Sequence, residues 1–585
     1  MSIRTNKMKA VAVLLKQLMT ARSKFDERGR DESFDRKLEK LRLDLNKIKD
    51  VFVRVKKNEE DLLDILAEVY GHLRKLDRGK LNQDMDDICQ RIRDSAHNLL
   101  PKHAFDESSE KEDHKGGEIF PLPEESVQLQ QKKRWTLEDF NLLDDSLKAC
   151  LLSLSVFPEN AVIRKRNAIN LWIGKGLIKN TMEKTAENIG EDVIDDLLEF
   201  QVIVPYGSRK DALVKKFQIL PDIRHGAFYP QIKVDRLELE QKRVKVGDRY
   251  FGHTIRTVFN IGSSYLNFKP QWVTDELKDL EVLQLGRWQD SALHHIEVGS
   301  EEFLKELRYL KKLKYLSLRG ISNIFELPSS IGELESLIIL DLKACHNLER
   351  LPNDISSMKS LTHLIMSDCC LLEGMPKGIE KLTNLQVLKG FLTTTSEKTP
   401  CTLSDLANNL TNLRRLSIRI GSEAMIRDGE FQSLKNFRKL KHLKISWSVS
   451  DPRYAEIPIL WPVSLRKLHL ECFPGKSLLE FLPGEEIFPE YLHIQSEYEI
   501  LELNITGGKL ENIFFHRIGR NVNILRLKYL KQLNVDIDDL KIFFPFLQYL
   551  EIKQISNHSY IECRYENFAN FANFANSAYV LEVRP

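Results

Sequence analysis

Four leucines constrain this chain more than any other feature. Leu313, Leu337, Leu361 and Leu385 follow one another at intervals of 24 residues, and the spelling around them repeats. Leu334, Leu337, Leu340, Leu342 and Cys345 return as Met358, Leu361, Leu364, Met366 and Cys369. A fixed period in the twenties means one structural unit made many times over, each with an apolar edge it cannot bury alone. Neighbouring units bury that edge for each other, so the segment is expected to stack as a curved solenoid. Such a stack offers an interaction surface rather than a catalytic cleft.

The spelling is that of a leucine-rich repeat: a short strand, a turn and a return segment per coil. Extended outward, the ladder runs through Ile255 and Leu280, the four regular rungs, then Leu413, Leu440, Leu465, Tyr498, Val522 and Leu547. That predicts about twelve coils over residues 251–565. Residues 566–585, with their Phe-Ala-Asn triplets, are expected to be an irregular tail or a makeshift cap. With the leucines inward, the residues between them line the concave face. Three neighbouring coils place Arg414, Arg415 and Arg419, then Lys441, His442 and Lys444, then Arg466, Lys467 and His469 on it, with Trp447 beside them. At the strand positions of these coils no acid appears until Glu471. Clustered like charge attracts anionic partners, so this basic patch is the expected partner-binding site. Cations that are simply solvated are the plainer alternative.

Composition excludes several classes. The chain has 87 basic and 85 acidic residues, a net charge of +2, which favours neither nucleic acid nor a membrane surface. No apolar run approaches the 18 residues or more of a membrane-spanning helix, and charges scattered through residues 1–16 argue against a secretory signal. The eight cysteines lack metal-type spacing with histidine. Buried structural thiols are expected, with redox chemistry at the vicinal Cys369 and Cys370 as the alternative. Both readings suit a reducing, cytoplasmic setting.

Upstream of the ladder, residues 1–100 carry four helical stripes. Met8, Val11, Leu15 and Leu18 make the first; Leu38, Leu41, Leu45, Ile48 and Phe52 the second; Leu62, Leu66, Val69, Leu73 and Leu76 the third; Leu81, Met85, Ile88 and Ile92 the fourth. Stripes of this period are buried faces of amphipathic helices, and four with short connections predict an antiparallel bundle. The first 25 residues hold six Lys/Arg and no acid, a pattern open to peripheral membrane association or partner docking as well as plain solvation. Residues 101–134, rich in Asp, Glu, Ser and Gly, read as a polar linker.

Residues 135–250 contain a recognisable string. Thr136 and Asp139 suggest a capping box opening a helix that reaches about Val156. Leu147, Lys148 and Cys150 precede Phe157, Pro158 and Glu159; Leu171, Trp172, Gly176 and Ile178 follow, and then Val202 to Pro205. These strings resemble the winged-helix segment of plant intracellular immune receptors, the coiled-coil class of nucleotide-binding leucine-rich-repeat proteins. The Leu327-Pro328, Leu351-Pro352 and Met375-Pro376 elements, each followed by isoleucine at Ile331, Ile355 and Ile379, resemble that family's repeats. The resemblance implies α and α/β architecture: N-terminal helical bundle, winged-helix segment and C-terminal leucine-rich-repeat solenoid. It implies a disease-resistance role in which the repeats bind protein ligands and the bundle engages a full-length immune receptor.

One part of the family pattern is missing. A phosphate-binding loop needs glycine, four residues, then Gly-Lys-Ser/Thr, so that backbone N–H groups cradle a nucleotide. Gly475, Lys476 and Ser477 have Leu470 where the first glycine should stand, and the family's Met-His-Asp aligns with Leu220, Pro221 and Asp222. Neither ADP nor ATP binding is expected, nor a metal, nor catalysis. Winged helices can also hold DNA, here through Lys148, Arg164, Lys165 and Arg166, but the resemblance implies a packing module and no nucleic acid. A protein–protein adaptor or scaffold is the alternative function, either selecting a substrate with the solenoid while the bundle recruits machinery, or modulating a complete receptor. Insertion of the first helix in a membrane is a third reading, weakened by its lack of acids.

Overall fold

The computed structural model describes residues 78–97, 137–206 and 214–224, most of 255–478, and 500–513, 521–556, 560–565 and 578–584. Scattered positions before residue 78 are also described. Before residue 100, Arg78–His97 is a helix, and Met85, Ile88 and Ile92 are its buried stripe. Val11, Leu14, Leu18, Leu38, Leu41, Leu45 and Val69 are helical and buried. Val11 and Leu18 belong to the first expected stripe, whose Met8 and Leu15 lie outside the described residues. Asp86 pairs with Lys37 at 3.2 Å and Arg91 with Glu68 at 3.0 Å, bringing three helical segments together. The four-helix bundle as a whole, and the linker at 101–134, lie outside the described residues.

Residues 137–224 form a compact helical unit with a small sheet. The single helix expected to reach Val156 is broken at Leu143: one helix spans Leu137–Leu142 and a second spans Asp145–Ser153. The cause is Asp144, whose side chain accepts the Leu147 N–H at 2.7 Å and caps a new helix. Phe157, extended because Pro158 follows it, ends that helical stretch. The Lys165–Lys175 helix stops at Gly176, which adopts a left-handed φ of 71° and donates to Ile173 O. Trp172 anchors the core: its indole N–H reaches Cys150 O at 3.0 Å and Ser153 Oγ at 2.9 Å. Thr185 caps the Ala186–Glu199 helix, and strands Ile163–Arg164, Lys216–Ile219 and Ile203–Pro205 form a three-stranded sheet in that spatial order.

The ladder becomes a 14-stranded sheet with twelve parallel strands, from Thr257–Phe259 to Tyr549–Lys553. Each rung stands two residues before its strand, as Leu337 does before Ile339–Asp341. Tyr498 is the exception. The strand there is Glu502–Gly508, which makes Ile500, 2% exposed, the rung. The leucine sides merge in one continuous apolar core. Cys345 and Cys369 close their coils by donating Sγ–H to Leu318 O and Leu342 O, both at 3.1 Å. Burial pushes the Cys345 thiol up to about 12 and the Cys369 thiol well above its usual value, so neither is poised as a thiolate. Cys370 instead turns its thiol to Asp368 O at 3.3 Å.

Among the described residues the stack does not close on itself. At its C-terminal end two antiparallel strands, Tyr560–Tyr565 and Ala578–Arg584, cover the last parallel edge. Part of the tail expected to be irregular is therefore a strand that blunts an exposed edge. Gly475, Lys476 and Ser477 lie within the repeat stack, with Ser477 bridging to Asn512.

Candidate functional site

The sheet face opposite the leucine core is assembled by register. Arg415, His442 and Lys467 are successive partners in one row, followed by Glu502. Ser417, Lys444 and His469 form the next row, and Arg419, Ser446 and Glu471 continue it. Alternate residues of each strand, such as Leu416, Ile418 and Ile420, point into the core. Six residues of the expected basic patch therefore share one face: Arg415, Arg419, His442, Lys444, Lys467 and His469. Arg414, Lys441 and Arg466 stand just before their strands, on the leading edge, and Arg466 folds back toward Val463 O and Leu465 O.

Trp447 does not join the patch. It falls on the leucine side of a six-residue strand, is 3% exposed, and packs edge-to-face on Phe473 at 5.5 Å. The patch is also less basic than the sequence suggests. Lys444 pairs with Glu471 at 2.8 Å and Lys467 with Glu502 at 2.6 Å.

Upstream, the same face is covered. The winged-helix unit packs its apolar surface on the first coils, sharing a core with Phe259, Val282, Trp288, Tyr315 and Ile339. Phe157 meets Phe259 and Trp288 edge-on at 5.2 and 5.3 Å. Gly174 admits the Tyr315 ring so closely that an added Cβ would stand 2.6 Å from Tyr315 Cβ. Asn167 donates its side-chain amide to Trp288 O, and Tyr315 donates its hydroxyl to Gln284 Oε1 at 2.9 Å. The sequence missed this contact, although strands Tyr315–Ser317, Ile339–Asp341 and His363–Ile365 are buried on both faces. Apolar residues at positions that should face solvent were the available signal.

Beyond the apolar zone the cover turns polar. Glu187, 6% exposed, meets His363, 4% exposed, at 3.4 Å. Burial raises the Glu187 pKa, but the His363 hydrogen bond and the nearby Arg415 charge outweigh it and hold the carboxyl well below its usual range. Burial, aided by Lys389 and Arg166, pulls His363 below its usual value, so a neutral imidazole donates to a carboxylate. Arg166 stands at the mouth of this cleft, ringed by protein yet still reached by solvent, and desolvation with the Arg415 charge lowers it to about 10. Burial and the neighbouring Arg166 and Arg415 push Lys389 well down. His442 falls to about 3 through desolvation and then the Arg415 charge. Of the cations considered for DNA, Lys165 pairs with Glu191 and Lys148 with Asp145. Among the described residues no cluster of His, Cys, Asp and Glu is placed to hold a metal ion, and no helix is long and apolar enough to cross a membrane.

Comparison with known proteins agrees with these two halves. Residues 156–223 match the disease resistance protein winged helix domain, and residues 254–484 match a leucine-rich repeat region. The chain is related to the plant disease resistance proteins. Disease resistance RPP13-like protein 4 of Arabidopsis thaliana is 27% identical over 70% of this chain and 48% of its own length. Disease resistance protein PIK6-NP of Oryza sativa subsp. japonica is 26% identical over 37% of this chain and 22% of its own length. Disease resistance protein RGA4 of the same rice is 26% identical over 36% and 21%. The chain thus spans less than half the length of these relatives.

Proposed function

We propose that this disease-resistance-type chain acts in plant innate immunity as a non-enzymatic binding protein, recognising a protein with an acidic surface through the downstream half of its sheet face. One observation carries this reading: the winged-helix unit covers the upstream half, while Arg419, Lys444 and His469 stay half-exposed on the downstream half. Lys444 and Lys467, already paired within the face, can exchange their glutamates for a partner's carboxylates. On this reading the chain works in the cytoplasm without a nucleotide switch of its own, and residues 1–100 pair it with a complete immune receptor. The alternative, an adaptor that only modulates such a receptor, places all partner contacts in residues 1–100.

Affinity purification of the tagged chain from leaf tissue separates the two. Sensing predicts a co-purifying protein lost in the Arg419→Glu/Lys444→Glu double variant and retained when residues 1–100 are deleted. Partners lost only on that deletion would establish the adaptor instead.

A further inference from the structure

Apart from the downstream patch, a second group of cations gathers beneath the winged helix. Lys389 and Arg415 are diagonal neighbours on adjacent strands, since Val387 pairs with Arg415 and Lys389 with Ser417. Asp341, Ile365 and Lys389 share one row, which brings Lys343 close on the same side. From above, the Lys165–Lys175 helix adds Arg166 from a first turn that has no acid and no side-chain cap. Its orphan N–H groups and helix dipole add positive potential where Arg166 stands. Arg164 and Arg319 extend the cluster toward Lys343.

Three carboxylates lie near these cations, and Asp341, in the Lys389 row, accepts the Lys343 N–H at 2.9 Å and favours the charge on Lys389. Glu187 holds His363, and Glu191 holds Lys165. Among the described residues Arg166, Lys389 and Arg415 have no carboxylate within ion-pair distance. After desolvation, the Arg415 charge lowers Arg166, and both lower Lys389, while Glu187 and Glu191 favour the charged form of Arg415. Lys389 and Arg415 are half-buried and Arg166 is exposed beside them, and partly buried cations gathered in this way destabilise the fold unless anions offset them. One carboxylate would leave most of the charge uncompensated. A broad protein surface cannot enter, because the winged-helix unit and the Glu187–His363 contact wall the cleft on one side. What fits is compact, multiply charged and rich in acceptor oxygens: arginine forks bind phosphate oxygens in pairs, and lysine adds a point charge.

We propose that the cleft between the Lys165–Lys175 helix and the Val387–Thr393 and Arg415–Ile420 strands binds a small, multiply phosphorylated anion, held by Arg166, Lys389 and Arg415 with Lys343 at its edge. The bound anion ties the winged helix to the repeats. Arg415 borders the downstream face, but Arg419, Lys444 and His469, which carry the protein docking, take no part in this site.

The test is calorimetric titration of the full chain with inorganic tripolyphosphate, with orthophosphate and a Lys444→Gln variant as controls. Tripolyphosphate binds, orthophosphate binds at least about tenfold more weakly, and Lys444→Gln changes nothing. Arg166→Gln and Lys389→Gln each weaken binding by about tenfold or more, the loss expected for a hydrogen bond to a charged group. Thermal melts check that the variants fold. Without anion, Lys389→Gln melts no lower than the parent, because it removes a repelling charge. With tripolyphosphate the order reverses. Absence of binding at millimolar tripolyphosphate, or undiminished binding by the Arg166→Gln/Lys389→Gln double variant, overturns the proposal. Binding that emerges only after Asp106, Glu107, Glu110, Glu112 and Asp113 are neutralised also overturns it, by making the chain's own acidic stretch the occupant.

Discussion

The two halves of one sheet face are built from the same repeat yet behave as different materials. Upstream, strands such as Ile339–Asp341 are buried on both sides, and their outward residues Tyr315 and Ile339 belong to the winged helix's core. Downstream, Arg415–Ile420 and His442–Trp447 alternate buried and half-exposed, and their outward residues are Arg, Lys, His and Ser. The difference shows that the repeat dictates only the core side. The outward side is free to record what sits on it: apolar residues where a domain is docked, ion pairs where solvent reaches. Between the halves lies a narrow band, Glu187, His363, Lys389 and Arg415, where charge is buried without being fully neutralised.

The sharpest way to break the comparison is to treat an outward residue upstream as if it were downstream. Tyr315→Ala removes a buried ring packed on Gly174 and deletes the hydroxyl bond to Gln284. Truncating a buried aromatic costs about 3–5 kcal/mol, and that loss is expected in denaturant unfolding followed by circular dichroism. Gly174→Val should approach it from the other side by wedging the ring away. A cost below about 1 kcal/mol for Tyr315→Ala, the range of exposed positions, would mean that the winged helix is not held on this face.

Much of this architecture was readable from spacing alone, because a stack of repeats is governed by contacts between neighbours. Leu313 to Leu465 and Val522 to Leu547 stand where the spacing places them. Tyr498 failed because the chain between Phe473 and Ile500 is longer than in the regular coils, so counting from Leu465 falls two residues short of the register. Trp447 failed because its strand runs to six residues and parity returns that side chain to the core. The pairing of Lys444 with Glu471 and Lys467 with Glu502 was hidden because strand neighbours lie 27 and 35 residues apart. The docked winged helix was hidden for another reason: contact between two domains leaves no period, only apolar residues such as Tyr315 and Ile339 at positions a solvated face would not use.

The middle band sharpens the comparison through pH. His363 is held below the unfolded value of about 6.5, so as pH falls the unfolded chain takes up a proton before the folded one does. Stability from this residue is therefore full above about pH 6.5 and declines below it. His442, at about 3, adds in the same direction across the window from about 6.5 down to its folded value. Glu187 acts only in more acidic solution, because its carboxyl is held below the usual range and protonates last. Between pH 7.5 and 5.5 the chain should lose about 1–2 kcal/mol, on the scale of 1.4 kcal/mol per unit of pH for each proton taken up. Denaturant melts at the two pH values measure it, and His363→Asn should recover part of the loss. Equal stability of the parent chain at both values would place His363 in water, not against Glu187.

The smallest effect belongs to the downstream half and is informative for being small. Lys444 and Glu471 sit 2.8 Å apart on adjacent strands, with the lysine side chain 36% exposed. Water screens such a pair, and exposed ion pairs are worth about 0–1 kcal/mol. A double-mutant cycle through Lys444→Ala and Glu471→Ala should give a coupling below about 1 kcal/mol, falling further in molar salt. That small value is what lets Lys444 leave Glu471 for a partner's carboxylate at little cost to the fold. A coupling of several kcal/mol would mean that the downstream face is as locked as the upstream one, and it would remove the open surface on which partner recognition depends.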